Sequence, residues 1–75
     1  MMKKGSYKVD GKFVHDDDVR VRYEGITVWS NWRCCVARLG DGRECRAQLS
    51  DHGAGRKSVQ LFDSTGLIMD IDTQY

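Results

Sequence analysis

Apolar and polar side chains alternate along much of this chain with a period of two residues. The clearest case is DVRVRYEGITV, where apolar and charged side chains take alternate positions: Val19, Val21 and Tyr23 against Arg20, Arg22 and Glu24. Successive side chains of a β-strand point to opposite faces of a sheet, so this alternation predicts a half-buried strand. The Glu-Gly pair at its end predicts a turn into a second strand over residues 26–29.

Glycine marks the turns between these strands, because the chain contains no proline. Asp10 and Gly11 lie between the apolar residues of KVDGKF, which is a strong signal for a two-residue hairpin turn. The stretch SVQLFDSTGLIMDI predicts a further hairpin, in which Gly66 takes a loop position that needs a positive φ. Together these signals predict a meander of short strands.

The segment VARLGDGRECRAQLSD, residues 36–51, fits two different structures. As a β-hairpin it has a three-residue Gly-Asp-Gly loop, with Gly42 in the left-handed position that closes a glycine bulge. This loop sets the cross-strand pairs: Leu39 with Arg43, Ala37 with Cys45, and Cys35 with Ala47. The apolar members of these pairs then share one face with Leu49, so the apolar sets of both strands agree.

As a helical hairpin, the same region would form short helices at residues 31–39 and 42–52. Four apolar residues follow helical spacing there: Trp32, Cys35, Val36 and Leu39. Asp41 and Glu44 also resemble a capping box at the start of a second helix. Trp, Cys and Val are mediocre helix formers, however, and helices this short are marginal in isolation. Because the flanking segments have the β pattern, we favour the β-hairpin.

The sequence therefore predicts an all-β fold, a small antiparallel meander closing into a partly open barrel, with residues 1–75 forming a single small domain. The alternative is an α+β fold with the two short helices. In the β interpretation one alternating set of side chains faces inward: Val19, Val21, Tyr23, Cys35, Ala37, Leu39, Cys45, Ala47, Leu49, Val59, Leu61, Leu67, Met69 and Ile71.

Size and charge favour a surface binder over an enzyme. A chain of 75 residues buries only a small core, and a catalytic pocket of several hundred Å³ would consume much of it. The net charge is +1, from 12 basic and 11 acidic side chains, which is not the clear basic excess of a sequence-independent nucleic-acid binder. Three consecutive aspartates, Asp16 to Asp18, fit a solvated turn.

Cysteine count and hydropathy indicate the cellular compartment of the protein. Three cysteines make an odd number, whereas a secreted disulfide scaffold normally has an even one. The start, MMKKGSYKVDGK, has no apolar segment of the kind found in signal peptides, and no run approaches the ~20 apolar residues of a membrane span. We therefore predict a cytoplasmic protein without membrane contact.

The thiols and imidazoles do not have the spacing of a metal or catalytic site. A zinc site needs four converging ligands, and the adjacent Cys34 and Cys35 would point to opposite faces of a strand. No Cys-x-x-Cys is present, and Cys35 and Cys45 fit buried free thiols on the apolar face. We predict no metal, no cofactor and no catalytic residue.

Arginine and tryptophan are the candidate binding residues. In WSNWRCC, two tryptophans flank a Ser-Asn turn, and we expect one to lie in the core and the other at an exposed rim. Strand alternation places four arginines on the outward faces, where they could take carboxylates or phosphates. The predicted contact surface is therefore Arg20, Arg22, Trp29, Trp32, Arg38 and Arg46.

Residues 36–72 resemble Sm-like small β-barrels. An apolar-alternating strand runs into Asp41-Gly42, followed by an apolar residue, a small residue and a leucine: Cys45, Ala47 and Leu49. The Rof-like inhibitors of the termination factor Rho, themselves Sm-like, look similar in this region. Sm proteins carry an Asn near the start of the next strand that helps hold a base, where this chain has GAGRKS, and their later Arg-Gly pair is missing here. The resemblance therefore implies neither ring assembly nor uridine binding.

Two functions follow as predictions. The first is a non-catalytic regulator or inhibitor that docks on a protein partner of nucleic-acid machinery, as the resemblance to Rof-like proteins implies. The second is a module that binds RNA or single-stranded nucleic acid directly through arginines and an exposed tryptophan. The oligomeric state stays open.

Overall fold

The computed structural model describes residues 5–74. Eight strands and one short 3₁₀ turn, Asp16–Asp18 between β2 and β3, make up its regular structure. The strands are β1 (Ser6–Val9), β2 (Lys12–His15), β3 (Val19–Tyr23), β4 (Ile26–Ser30), β5 (Cys35–Arg38), β6 (Glu44–Gly53), β7 (Arg56–Asp63) and β8 (Gly66–Gln74). No α-helix occurs between residues 5 and 74, which confirms the all-β prediction.

The strands form two antiparallel sheets. Strands β1 and β2 make a separate hairpin, while β3 to β8 form one six-stranded sheet in simple sequential order. This sheet curls into a half barrel, as expected for a meander that closes only partly. Strands β3 and β8 are its two edges.

The central segment is a β-hairpin with the predicted register. Ala37 pairs with Cys45, and the Leu39 amide donates to the Arg43 carbonyl at 2.7 Å. Gly42 has φ +95°, the positive value that the three-residue loop requires. The alternative of helices at residues 31–39 and 42–52 is wrong, because the chain there pairs with β4 and β7 on either side.

The other connections are mostly two-residue turns. Asp10 and Gly11 have φ of 50° and 79°, and Ala54 and Gly55 have φ of 53° and 78°. Two successive positive φ values define the type I′ turn, whose twist matches that of the flanking strands. Ala54 and Gly55 therefore form the turn between β6 and β7.

The inner core lies on the concave face of the curled sheet. Its buried members come from all six strands: Val21, Ile26, Val28, Ala37, Leu39, Cys45, Val59, Leu61 and Ile71. Cys35, Ala47 and Leu49 pack against this cluster and are partly buried. Most of the predicted inward set is thus in or beside this core.

Three members of the predicted inward set are exposed. Tyr23 is 40% exposed, Leu67 58% and Met69 39%. They lie on the edge strands β3 and β8, which have a neighbouring strand on only one side. A side chain at an edge receives cover from fewer neighbours, so alternation alone overestimates its burial. The inward prediction is therefore wrong for these three residues, and for Leu67 a register shift adds to the effect by pairing it with Phe62.

The prediction is also wrong for Val19, which a register shift in β3 places opposite Trp29 on the other face of the sheet. Ile26 and Val28 of β4 belong to the inner core although they were not in the predicted set.

A second, smaller core lies on the opposite face of the sheet, under the β1–β2 hairpin. Val9 and Val14 of the hairpin pack against Trp29 and Val36 of the sheet. The Asp10 amide at the hairpin tip donates to Glu44 Oε1 at 2.9 Å, which fixes the tip to β6. We call this cluster the hairpin core.

Candidate binding surface

The four predicted arginines do not meet in a single depression. Arg20 and Arg22 line a shallow one with Lys57 at the edge of the sheet. The Arg20 Nη1 donates to the Asp17 carbonyl at 2.8 Å. Arg46 lines a different groove, together with Lys12 and Arg33. The β1–β2 hairpin separates the arginines, because it packs over the middle of the outer face of the sheet. Strand alternation alone predicts that this face is exposed to solvent.

Arg38 is engaged within the molecule. Its Nε and Nη2 donate to Glu44 Oε2 at 3.0 and 2.8 Å, and its guanidinium lies 5.6 Å from the centre of the Trp29 ring. The Asp10 amide and then Arg38 hold the pKa of Glu44 below its ordinary value. Arg38 therefore serves the contact between hairpin and sheet.

Trp29 is in the core and not at the rim. Only 5% of it is exposed, and its ring lies 6.2 Å from that of Tyr7 in a tilted arrangement. Its Nε1–H is buried without an acceptor among the described residues, which costs about 1–3 kcal/mol. Trp29 therefore contributes packing under the hairpin, as expected for one of the two tryptophans.

Trp32 is the exposed tryptophan, with 87% of its surface accessible. The Arg33 guanidinium lies 4.7 Å from the centre of its ring, a cation–π contact. The loop is held by Asn31, whose Oδ1 accepts from the amides of Arg33 and Cys34 at 2.7 and 3.0 Å. Such a side-chain turn is a common role of Asn, and here it presents the ring to solvent.

A second exposed aromatic lies beside this loop. Phe13 on β2 is 62% exposed, and Lys8 Nζ lies 5.4 Å from the centre of its ring. Phe13, Trp32 and Arg33 line the same small depression. We call these three residues the Trp32 surface. Lys8 and Phe13 were absent from the predicted site, although the DGKF turn motif gave a signal by placing Phe13 just after a tight turn.

A groove of about 460 Å³ continues from the Trp32 surface between the hairpin and the sheet. Three cations line it: Lys12 from β2, Arg33 from the loop before β5, and Arg46 from β6. None of the described residues that line it is acidic. We call it the basic groove. Of its cations, only Arg46 belonged to the predicted site, because the groove exists only once the hairpin is docked.

Two thiols also line the basic groove, Cys34 and Cys35. Burial raises the pKa of Cys35, and the same cause raises that of Cys45 in the inner core. A raised thiol pKa disfavours the thiolate that nucleophilic chemistry needs. Between residues 5 and 74, no three His, Cys, Asp or Glu side chains come together as metal ligands.

The three aspartates form a hydrogen-bonded turn. Asp16 Oδ1 accepts from the Tyr7 hydroxyl at 2.6 Å, and this bond raises the pKa of Tyr7. Asp18 Oδ2 accepts from Asn31 Nδ2 and from the His15 amide, at 3.0 and 2.9 Å, and both bonds lower the pKa of Asp18. Asp18 thereby ties the turn to the loop that carries Trp32.

No protein-family model, curated protein or solved structure matches this chain. The resemblance to Sm-like barrels therefore stays a prediction. Within the part of the chain that the structure describes, no helix has the length and apolar character needed to cross a membrane.

Proposed function

We propose that this protein is a non-catalytic binding protein that docks on a protein partner through the Trp32 surface. The observation that carries the proposal is the pair of exposed aromatics, Trp32 at 87% and Phe13 at 62%, which line one depression together with Arg33. Trp and Arg are the residues that most often dominate the binding energy of protein interfaces. Exposed aromatic rings contribute little to the stability of a small fold, so an external contact is a physical reason to keep these side chains outside.

The biological role that fits this mode of action is a regulator or inhibitor of nucleic-acid machinery in the cytoplasm. The resemblance of residues 36–72 to Rof-like proteins supports that role, and the three free cysteines are compatible with a reducing compartment. Docking alone is enough for inhibition when the partner's own working surface is the one covered.

A second candidate function is direct binding of single-stranded nucleic acid. Exposed aromatics next to a groove with three cations are the usual elements of such a site, since bases stack and phosphates pair with the cations. The measurement that separates the two candidates is a titration with a fluorescent oligonucleotide at low and moderate salt. Tight binding that weakens steeply with salt would favour the nucleic acid.

The main test uses the tagged protein to capture partners from an extract of its native host, followed by affinity measurement with the captured protein. Trp32→Ala should weaken that affinity by at least about tenfold, because it removes the central anchor. Leu67→Ala is the matched control, since Leu67 is also exposed and apolar but lies on edge strand β8. Equal affinity of the Trp32→Ala variant and the unmodified protein would refute the proposal.

A further inference from the structure

We propose that the basic groove binds a short acidic segment of the protein partner, with an apolar side chain among its carboxylates. This inference rests on the proposed function, because it names the partner chemistry that lies next to the Trp32 surface. It depends on three properties of the groove: cations without carboxylate partners, an apolar floor, and acidic boundaries.

The cations of the groove lack the ion pairs that other arginines have. Within residues 5–74, ion pairs join Arg38 to Glu44, Arg43 to Asp41 and Arg56 to Asp72, with N–O distances of 2.7–2.9 Å. Across the same described residues, Lys12, Arg33 and Arg46 make none. Three elements thus bring unneutralised positive charge into one groove, where it is available to carboxylates from outside.

The floor of the groove is apolar. Phe62, the cross-strand neighbour of Arg46, is partly buried and lines the groove, and Val36 lies buried in the hairpin core at the same place. A ligand that carries only charge would leave this surface in contact with water. A segment that alternates acidic and apolar side chains would satisfy the cations and cover the floor together.

Acidic side chains bound the groove at both ends. Beyond Arg46 lies a depression whose lining includes Asp10, Glu44 and Asp63. Beyond Arg33, the depression that contains Trp32 also contains Asp18. A long polyanion would meet repulsion at either end, whereas a short acidic peptide would end before reaching it. This length limit favours an acidic peptide over a nucleic-acid strand and agrees with the net charge of only +1.

The test is fluorescence anisotropy with a labelled, capped hexapeptide of alternating glutamate and leucine, at low salt. The unmodified protein should bind it, and a peptide with lysine in place of glutamate should not bind. Replacing Arg33 and Arg46 together by Gln should weaken binding at least about tenfold, with an unchanged melting temperature since both side chains are exposed. The matched control is Arg43→Gln with Arg56→Gln, which removes two exposed arginines outside the groove and should change affinity less than about twofold.

Three outcomes would overturn the inference. They are failure of the unmodified protein to bind the acidic peptide, equal binding by the Arg33→Gln, Arg46→Gln variant, and tighter binding of a ten-nucleotide oligouridylate than of the peptide. The last outcome would assign the groove to nucleic acid. If partner capture depends on Trp32 but not on Arg33 and Arg46, the proposed function stands and only the acidic-segment inference fails. If capture is independent of Trp32 while the peptide binds through the arginines, the groove assignment survives and the proposed docking surface is wrong.

Discussion

The two cores of this protein differ in how they are built. The inner core consists of alternate side chains from six consecutive strands. Its members lie on the concave face of a single sheet. The hairpin core joins two valines of the β1–β2 hairpin to Trp29 and Val36 on the other face of the same sheet. Strands β4 and β5 are therefore covered on both faces of the sheet. The inner faces of the edge strands β3 and β8 are only partly covered.

This difference separates what holds the fold from what shapes the binding surface. The inner core closes the sheet upon itself and determines whether the chain folds at all. The hairpin core attaches a separate element, and the basic groove and the Trp32 surface lie along its margin. Loss of the inner core should unfold the whole protein, while loss of the hairpin core should first open the groove.

The largest expected effect is therefore in the inner core. Leu61 is fully buried, and Leu61→Ala should lower the free energy of unfolding by about 2–5 kcal/mol, from lost burial and a residual cavity. Chemical denaturation measures this directly. Fluorescence and circular dichroism should report the same unfolding transition in denaturant, because all six strands share this core. A cost below about 1 kcal/mol would contradict the description of Leu61 as a central core residue.

The matching change in the hairpin core should be smaller and local. Val14 is also fully buried, and Val14→Ala should cost about 2 kcal/mol. Amide hydrogen exchange should then speed up in β1 and β2 more than in β6 and β7, because the hairpin can open without unfolding the sheet. Uniform acceleration over all strands would show that the two cores unfold as one unit.

A third change tests the turn between β5 and β6, two strands that serve the inner core together. Gly42 has φ +95°, and a Cβ there would meet no atom within 4 Å, so only backbone strain opposes a side chain. Gly42→Val should cost about 1–2 kcal/mol, and Gly42→Asn should be milder because Asn tolerates positive φ better. Denaturation curves of both variants give the comparison, and equal costs would contradict the strain argument.

The smallest expected effect concerns the link between hairpin and sheet, and it depends on pH. The Asp10 amide and Arg38 lower the pKa of Glu44 from its ordinary 4.5 in the folded protein. A lowered folded pKa means that ionised Glu44 stabilises the fold above its ordinary value and that this contribution is lost as pH falls through the folded value. Glu44→Gln should cost less than about 1 kcal/mol at neutral pH, since the pair is partly exposed.

The same variant distinguishes Glu44 from the other carboxylates of lowered pKa. Those groups remain in both proteins, so the difference in stability between Glu44→Gln and the unmodified protein isolates Glu44. That difference should shrink as the pH of the denaturation series falls from neutral to about pH 3. A difference that stays constant over this range would show that Glu44 contributes through its shape and not through its charge.

Local patterns in the sequence were enough for most of the main sheet. Alternation in residues 19–29 and the Gly-Asp-Gly loop specify strands, register and turn types, because each depends on neighbours a few residues apart. The Asp-Gly turn does the same for the separate β1–β2 hairpin.

The same patterns predicted most of the inner core but missed Ile26 and Val28 of β4. Tyr23 and Met69 have inward positions in the alternation, but whether a neighbour covers them depends on how far the sheet closes. Val19 and Leu67 are misplaced by register shifts, which the alternation does not show.

The binding surface depended on contacts that the local pattern does not contain. WSNWRCC predicted that one tryptophan would be buried and one exposed, but not which, because that choice depends on where residues 6–15 pack. Docking of this hairpin buries Trp29, places the Asp10 amide on Glu44, and brings Lys12 next to Arg33 and Arg46. Positions far apart in sequence are joined here by burial of a few valines and by one hydrogen bond at the hairpin tip. Period-two alternation records which face of a strand is apolar, and only the packed structure decides which element covers that face and which charges meet at its margin.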